Sequence, residues 1–242
     1  MNAQPRTDDP RRNSLLAALP GDEFNRLQLA LEPVDLRMGQ VLCESGCTPL
    51  FVYFPTTAVV SLMYLTQGGG SAETAVVGND GVVGIALFMG GNATPGRAVV
   101  QVAGQAYRLS ARAVNGEVER GTLVLHVLLR YVQALIAQTV QTAACNRHHS
   151  IDQQFCRRLL LGLDRSPSDE LMMTHERAAN LLGVRREGVT AAAQRLKRSG
   201  VIHYNRGRIA VLDRKRLEQG SCECYAVTKR EHERLLPGLA AA

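Results

Sequence analysis

Apolar residues recur at three- and four-residue steps in some stretches of the chain and at two-residue steps in another, and the changes of period divide it into parts. Residues 15–31 follow a helical period broken by Pro20-Gly21, which predicts a short helix pair. From Val34 the period falls to two. The segments QVLCESG, LFVYFP, AVVSLMYLT, AETAVVG, VGIALFM, RAVVQVAG and QAYRLS are short, rich in Val, Tyr and Phe, and separated by Gly, Pro and Asn. They predict a small antiparallel barrel or sandwich with glycine-rich turns. Residues 122–148 then run without Gly or Pro and carry Leu125, Leu128, Leu129, Val132, Leu135, Ile136 and Val140 at three- and four-residue steps, which predicts one long helix. A face this apolar is covered most economically by a second copy of itself, and packing on the β domain is the alternative.

Residues 151–163 continue as a further helix, and 164–169 form a polar break containing a proline. Between 174 and 202 the chain reads THERAANLLGVRREGVTAAAQRLKRSGVI, the spacing of a helix-turn-helix. Ala179 is small where two helices crossing steeply must approach, and Gly183 sits where the turn needs freedom from Cβ strain. Leu181, Leu182, Val184, Val189 and Leu196 make one apolar stripe, leaving Arg185, Arg186, Glu187, Thr190 and Gln194 to face outward over a recognition helix at about 185–198. Such a polar face suits the major groove of DNA. VIHYNRGRIAVLD follows as two short strands around Asn205-Arg206-Gly207, a wing that presents Arg206 and Arg208 to phosphate.

Charge strengthens this reading. The net charge is +6, yet residues before Ile151 carry 11 Lys/Arg against 11 Asp/Glu, whereas those from Ile151 onward carry 17 against 11. Residues 174–216 alone hold 11 basic and 3 acidic groups, a local excess of 8 that favours binding a polyanion by counterion release. At 242 residues with 45% hydrophobic content the chain suits two ordinary soluble domains. The N-terminal MNAQPRTDDPRRNS lacks the apolar core of a signal peptide and no apolar run reaches membrane-spanning length, so a cytoplasmic protein without membrane contact and with reduced thiols at its six cysteines is expected.

The order of parts resembles the CRP/FNR family of bacterial transcription regulators over nearly the whole chain, most closely in GVRREGVTAAAQRLKRSGVIHYNRGRIAVLD. VYFP, VSLM, AACNRHHS and CECY resemble a subgroup whose sensor domain is degenerate. The resemblance implies an α+β chain: a flexible tail over 1–14, a cyclic-nucleotide-binding-like antiparallel β-roll over 15–121, a dimerisation helix over 122–148, a winged helix-turn-helix over 149–217 and a C-terminal tail over 218–242. It also implies a homodimer on two-fold symmetric double-stranded DNA, with RNA polymerase as a further partner. By position, Arg186 and Glu187 match the pair that reads base edges and Thr190 another base-facing place. The chemistry agrees, because Arg pairs bidentately with guanine and Glu accepts from a cytosine amino group. Two departures stand out. Arg185 replaces the usual Ser or Thr cap of the recognition helix, at a cost of about 1 kcal/mol, and Ala191 replaces a second base-reading arginine.

In cyclic-nucleotide-binding relatives, a Gly-Glu pair holds the ribose and an Arg-Ser pair the phosphate. Gly84-Ile85 and Thr94-Pro95 stand at those places, so little affinity for cyclic AMP is expected, with Arg97 the candidate for a residual anion contact. Cys43 and Cys47 are far along the chain from Cys145 and Cys156, which predicts no iron–sulfur cluster. Cys145 and His149 share a helical face but supply only two ligands, so no metal and no other cofactor is predicted, and Cys222-Glu-Cys224 is too tight for an easy disulfide. A ligand or redox sensor, iron–sulfur or thiol, signalling mainly through protein contacts is the competing reading. An enzyme is not expected, since the chain has no phosphate-cradling Gly-Lys loop, nucleophile elbow or paired metal-ligand motif.

Overall fold

The computed structural model of the protein describes residues 9–121, 123–166 and 168–236. In chain order the elements are α1 (Ser14–Ala17), α2 (Gly21–Gln28), β1 (Glu32–Leu36), β2 (Val41–Cys43), β3 (Phe51–Pro55), β4 (Val59–Leu65), β5 (Ser71–Val77), β6 (Arg97–Val102), β7 (Gly104–Ser110), α3 (Ala111–Arg120) and α4 (Leu123–His148). They continue with α5 (Ile151–Leu163), β8 (Glu170–Met172), α6 (His175–Leu182), α7 (Arg186–Arg198), β9 (Ile202–Asn205), β10 (Arg208–Val211), α8 (Arg214–Gln219) and α9 (Glu223–Leu235).

The N-terminal strands form two antiparallel sheets, ordered β1-β7-β3 and β2-β6-β4-β5, around a core that includes Val52, Phe54, Val60, Val77, Val100 and Leu109. This is the expected β-roll. One expected strand is different: VGIALFM pairs with β3 only at Val83, opposite Tyr53, and then closes into a 3-10 turn, Ile85–Leu87. Gly84 forces the change, with φ of 101° and a hypothetical Cβ 3.0 Å from the Phe51 carbonyl oxygen. Within the expected tail at 1–14, buried Asn13 caps α1 and donates to the carbonyls of Pro55 and Gly81. The tail's residues 1–8, like 237–242 of the expected C-terminal tail, lie outside the described residues.

The apolar face of α4 divides into two. Val124, Leu128, Tyr131, Val132 and Leu135 are buried in the core of the roll, whereas Leu129, Ile136 and Val140 are 45%, 56% and 58% exposed. By length and composition α4 could cross a membrane, but its buried stripe is core to the β-roll. The exposed residues lie seven and four positions apart and form a second, narrower stripe.

The C-terminal half docks on the roll through a continuous interior. Val59 and Val76 of the roll share one apolar cluster with Phe155, Leu159, Ile202 and Ile209. Across this junction Arg158 and Glu73, both buried, pair at 2.6 Å, and Arg165 meets Asp80 at 2.7 Å. Burial alone would raise the Asp80 carboxyl. The charges of Arg165 and His232 and the backbone N–H of Gly78 outweigh burial and hold it below its ordinary 3.8. A depressed carboxylate contributes stability that is present above the unfolded pKa and lost as pH falls through the folded one. The midpoint of urea unfolding is therefore expected to drop below about pH 4, and to drop less steeply in Asp80→Asn. Identical acid slopes for the two proteins would refute the assignment.

Residues 218–236, expected as part of a tail, include α9, which packs along α4 and buries Leu235 in the core of the roll.

Candidate nucleic-acid interface

Thr174 accepts from the backbone N–H of Arg177 and so opens α6, and the Ala179 carbonyl closes it by accepting from Val184 across Gly183, whose φ is 68°. That left-handed turn sets the angle at which α7 leaves. Ala178, Ala179, Leu181 and Leu182 on α6 bury against Val189, Ala192 and Ala193 on α7. At Gly188 a Cβ would stand 2.7 Å from Ile151 Cδ1, so the backbone of α7 packs directly on that side chain of α5. Outside, Arg195 forms two bonds of 2.6 and 2.7 Å to the carboxylate of Asp152 on α5, fixing the back of α7.

The predicted reading residues lie along one exposed strip. Arg185, Arg186, Glu187 and Gln194 are exposed, and Arg186 touches only the edge of an ion pair, 3.9 Å from Glu176. Arg185 sits at the cap without a side-chain cap bond, as its loss of a capping oxygen implied. Thr190 differs. It is half-buried, its hydroxyl donates to the Arg186 carbonyl at 3.0 Å, and His175 Nδ1 lies 3.0 Å away. The hydroxyl has one proton, so in this arrangement His175 donates from Nδ1. The His175 ring stacks on Tyr204 at 4.3 Å, and burial followed by the charge of Arg186 lowers its pKa, keeping it neutral near pH 7. Sequence reasoning missed this prop beneath the helix; the only signal for it was a histidine one residue after a cap.

The wing is a three-stranded sheet, β8-β10-β9, and β8 was not foreseen because three residues show no period. Arg206 and Gly207 have φ of 44° and 81°, a tight turn that needs two left-handed residues. It leaves Arg206 and Arg208 exposed at the tip, on the same domain as the α7 strip.

Residues 153–219 match the family model of the Crp-like helix-turn-helix domain. The chain carries a Crp-like helix-turn-helix domain. Over most of its length the fold is similar to that of solved CRP/FNR transcription regulators. A CRP/FNR-family regulator of Thermus thermophilus superposes with a TM-score of 0.64 at 22% identity, covering 78% of this chain and 98% of that one. A CRP-family regulator from the same organism gives 0.66 at 20%, covering 78% and 96%. The c-di-GMP-responsive global regulator CLP of Xanthomonas campestris gives 0.63 at 14%, covering 79% and 99%. No curated protein matches the chain.

In the roll, Ile85, Thr94 and Arg97 surround a cavity of about 210 Å³ whose wall also includes Leu62, Val83, Leu135 and Thr139. That volume is below the roughly 300–1,000 Å³ of ordinary ligand pockets. Arg97 Nε stands 3.0 Å from the carboxylate of Glu44, an exposed partner at the cavity's rim. At the two places where cyclic-nucleotide binders carry a carboxylate and an arginine, the cavity presents the apolar side chain of Ile85 and the hydroxyl of Thr94. Cys43 and Cys47 belong to the roll, where the Cys43 thiol lies 3.8 Å from the Cys47 carbonyl oxygen. Cys145 and His149, by contrast, are joined by Cys222 and Cys224 from the segment read as a tail.

Proposed function

We propose that the protein is a cytoplasmic, non-catalytic transcription regulator that binds a two-fold symmetric operator as a homodimer, laying α7 in the major groove. What carries the reading is the exposed strip of α7 beside a basic wing tip, while the rest of the helix is anchored by α5 and α6. Arg186 and Glu187 read base edges, and Arg185, Arg206 and Arg208 bind phosphate. Gln194, near the far end of the strip, completes the contact surface. Thr190 reaches a base only if its hydroxyl leaves Arg186 and His175, so it serves first to orient the strip. The exposed stripe of Leu129, Ile136 and Val140 on α4 is the dimer seam, which brings a second α7 to the adjacent turn of the groove. RNA polymerase is the further protein partner by family resemblance.

Arg186→Ala is expected to weaken cognate binding by about 1–3 kcal/mol and relax one base position. Arg206→Ala is expected to weaken cognate and random DNA alike and to flatten the salt dependence. Fluorescence anisotropy on both DNAs over a salt series separates the two. Equal losses on both DNAs for both variants would overturn these roles.

A further inference from the structure

Outside the DNA-binding strip, four side chains converge where α4 ends. Cys145 lies in its last turn and His149 just beyond it, while Cys222 caps α9 and Cys224 lies in its first turn. Their ligand atoms lie within 4.8 Å of one another. Cys145 Sγ is 3.5 Å from Cys222 Sγ, and Cys224 Sγ is 3.6 Å from His149 Nδ1. Around a tetrahedral zinc ion, bonds of about 2.3 Å to sulfur and 2.05 Å to nitrogen place two thiolates about 3.8 Å apart and a thiolate and an imidazole about 3.6 Å apart. Both distances here are close to those edges, and the sulfurs are far beyond the roughly 2.05 Å of a disulfide.

We propose that Cys145, His149, Cys222 and Cys224 bind one zinc ion in a closed Cys3His site that fastens α9 to the junction between the long helix and the DNA-binding domain. Three surroundings support it independently. The three thiols are buried together in a cluster of their own, separate from the two main cores. The second nitrogen of the imidazole, His149 Nε2, stands 3.2 Å from the Glu223 carboxylate, the partner that a metal-bound histidine uses to fix its ring. Arg157 is buried, bonds the Thr142 hydroxyl at 3.0 Å and leaves its Nε without a hydrogen-bond partner. Zinc with three thiolates and a neutral imidazole carries one negative charge, which is the counter-charge such a guanidinium requires.

With four protein ligands no coordination position is left for substrate, so the site is structural or regulatory. It closes where α4 hands over to α5, whose cap is Ser150, and it joins that hinge to α9, whose end packs in the roll. Loading the metal would therefore fix the DNA-binding domain relative to the dimer helix.

The test uses the full chain, purified reduced and without chelators. Elemental analysis is expected to give about one zinc per chain, and cobalt substitution to give the intense visible bands of a tetrahedral thiolate site. Competition with a chromophoric chelator is expected to show about 10- to 100-fold weaker zinc binding in Glu223→Gln. Cys224→Ser is expected to lose the stoichiometric metal, while Cys43→Ser keeps it. Should Cys224→Ser fail to fold, the cobalt spectrum of the unaltered protein and the Glu223→Gln affinity still decide. Metal-free protein that takes up neither ion, an octahedral cobalt spectrum, or a Cys145–Cys222 disulfide recovered by non-reducing peptide mapping would each overturn the proposal.

Discussion

Glu73→Ala is expected to lower the unfolding free energy by about 3–5 kcal/mol, because it leaves the Arg158 guanidinium buried without its carboxylate. Against a total of about 5–15 kcal/mol for an ordinary domain, this is a large share. Glu73 sits on β5 of the roll and Arg158 on α5, with side-chain exposures of 7% and 5%, so water cannot replace the lost partner. Ser61 also donates to the Glu73 carboxylate and would be left without that acceptor. Urea denaturation followed by circular dichroism measures the loss. The pair itself is a different matter from its rupture: Glu73→Leu combined with Arg158→Met is expected to recover most of the stability, since an apolar replacement removes both desolvation costs. A single variant as stable as the parent, or a double variant worse than the single, would show that the junction between roll and DNA-binding domain is not held in this way.

Ile136→Glu is expected to convert the proposed dimer to a monomer and to reduce operator affinity by about 10²- to 10⁴-fold, the gain lost when two half-sites are no longer held by one linked pair. Ile136 is 56% exposed in the single chain and lies between Leu129 and Val140 on the free stripe of α4. A carboxylate there meets its own copy across a two-fold seam and repels it, whereas within one chain it costs little. Sedimentation equilibrium and anisotropy on a two-half-site duplex read the two effects. Leu128→Glu serves as the contrast. It strikes the buried stripe and is expected to unfold the roll rather than split a dimer. A parent that sediments as a monomer, or an Ile136→Glu protein that stays dimeric at full affinity, would remove the seam from α4.

Much of this was legible along the chain because the signals were local. The recognition helix shows itself through Gly183, a stripe at helical spacing and a polar outer face, and its bounds agree to one residue with Arg186–Arg198. The long helix was equally plain, but its period could not say which apolar residues face the roll and which face outward. The wide stripe proved to be two stripes side by side, one buried in the roll and one exposed. VGIALFM has the composition of a strand, and only the left-handed Gly84 and its contact with Phe51 turn it away from the sheet. The helix over Ala111–Arg120 carried its own signals, Ser110 as cap and Gly121 as stop, yet its weak apolar pattern hid it.

The thiol cluster was hidden for a different reason. Cys145 and His149 gave two ligands on one helical turn, and nothing in the order of residues says that Cys222 and Cys224 return to the same place. That proximity follows from α9 lying along α4, a tertiary contact with no local signature. The same holds for Arg158 with Glu73, which lie 85 residues apart.

Selection of bound sequences from a random double-stranded DNA pool by the purified chain tests DNA reading, the dimer and the role of α7 together. The expected result is a two-fold symmetric consensus with half-sites about one helical turn apart, in which Arg186→Ala loses preference at one position of each half. An asymmetric consensus, or none, or one unchanged by Arg186→Ala, would contradict it.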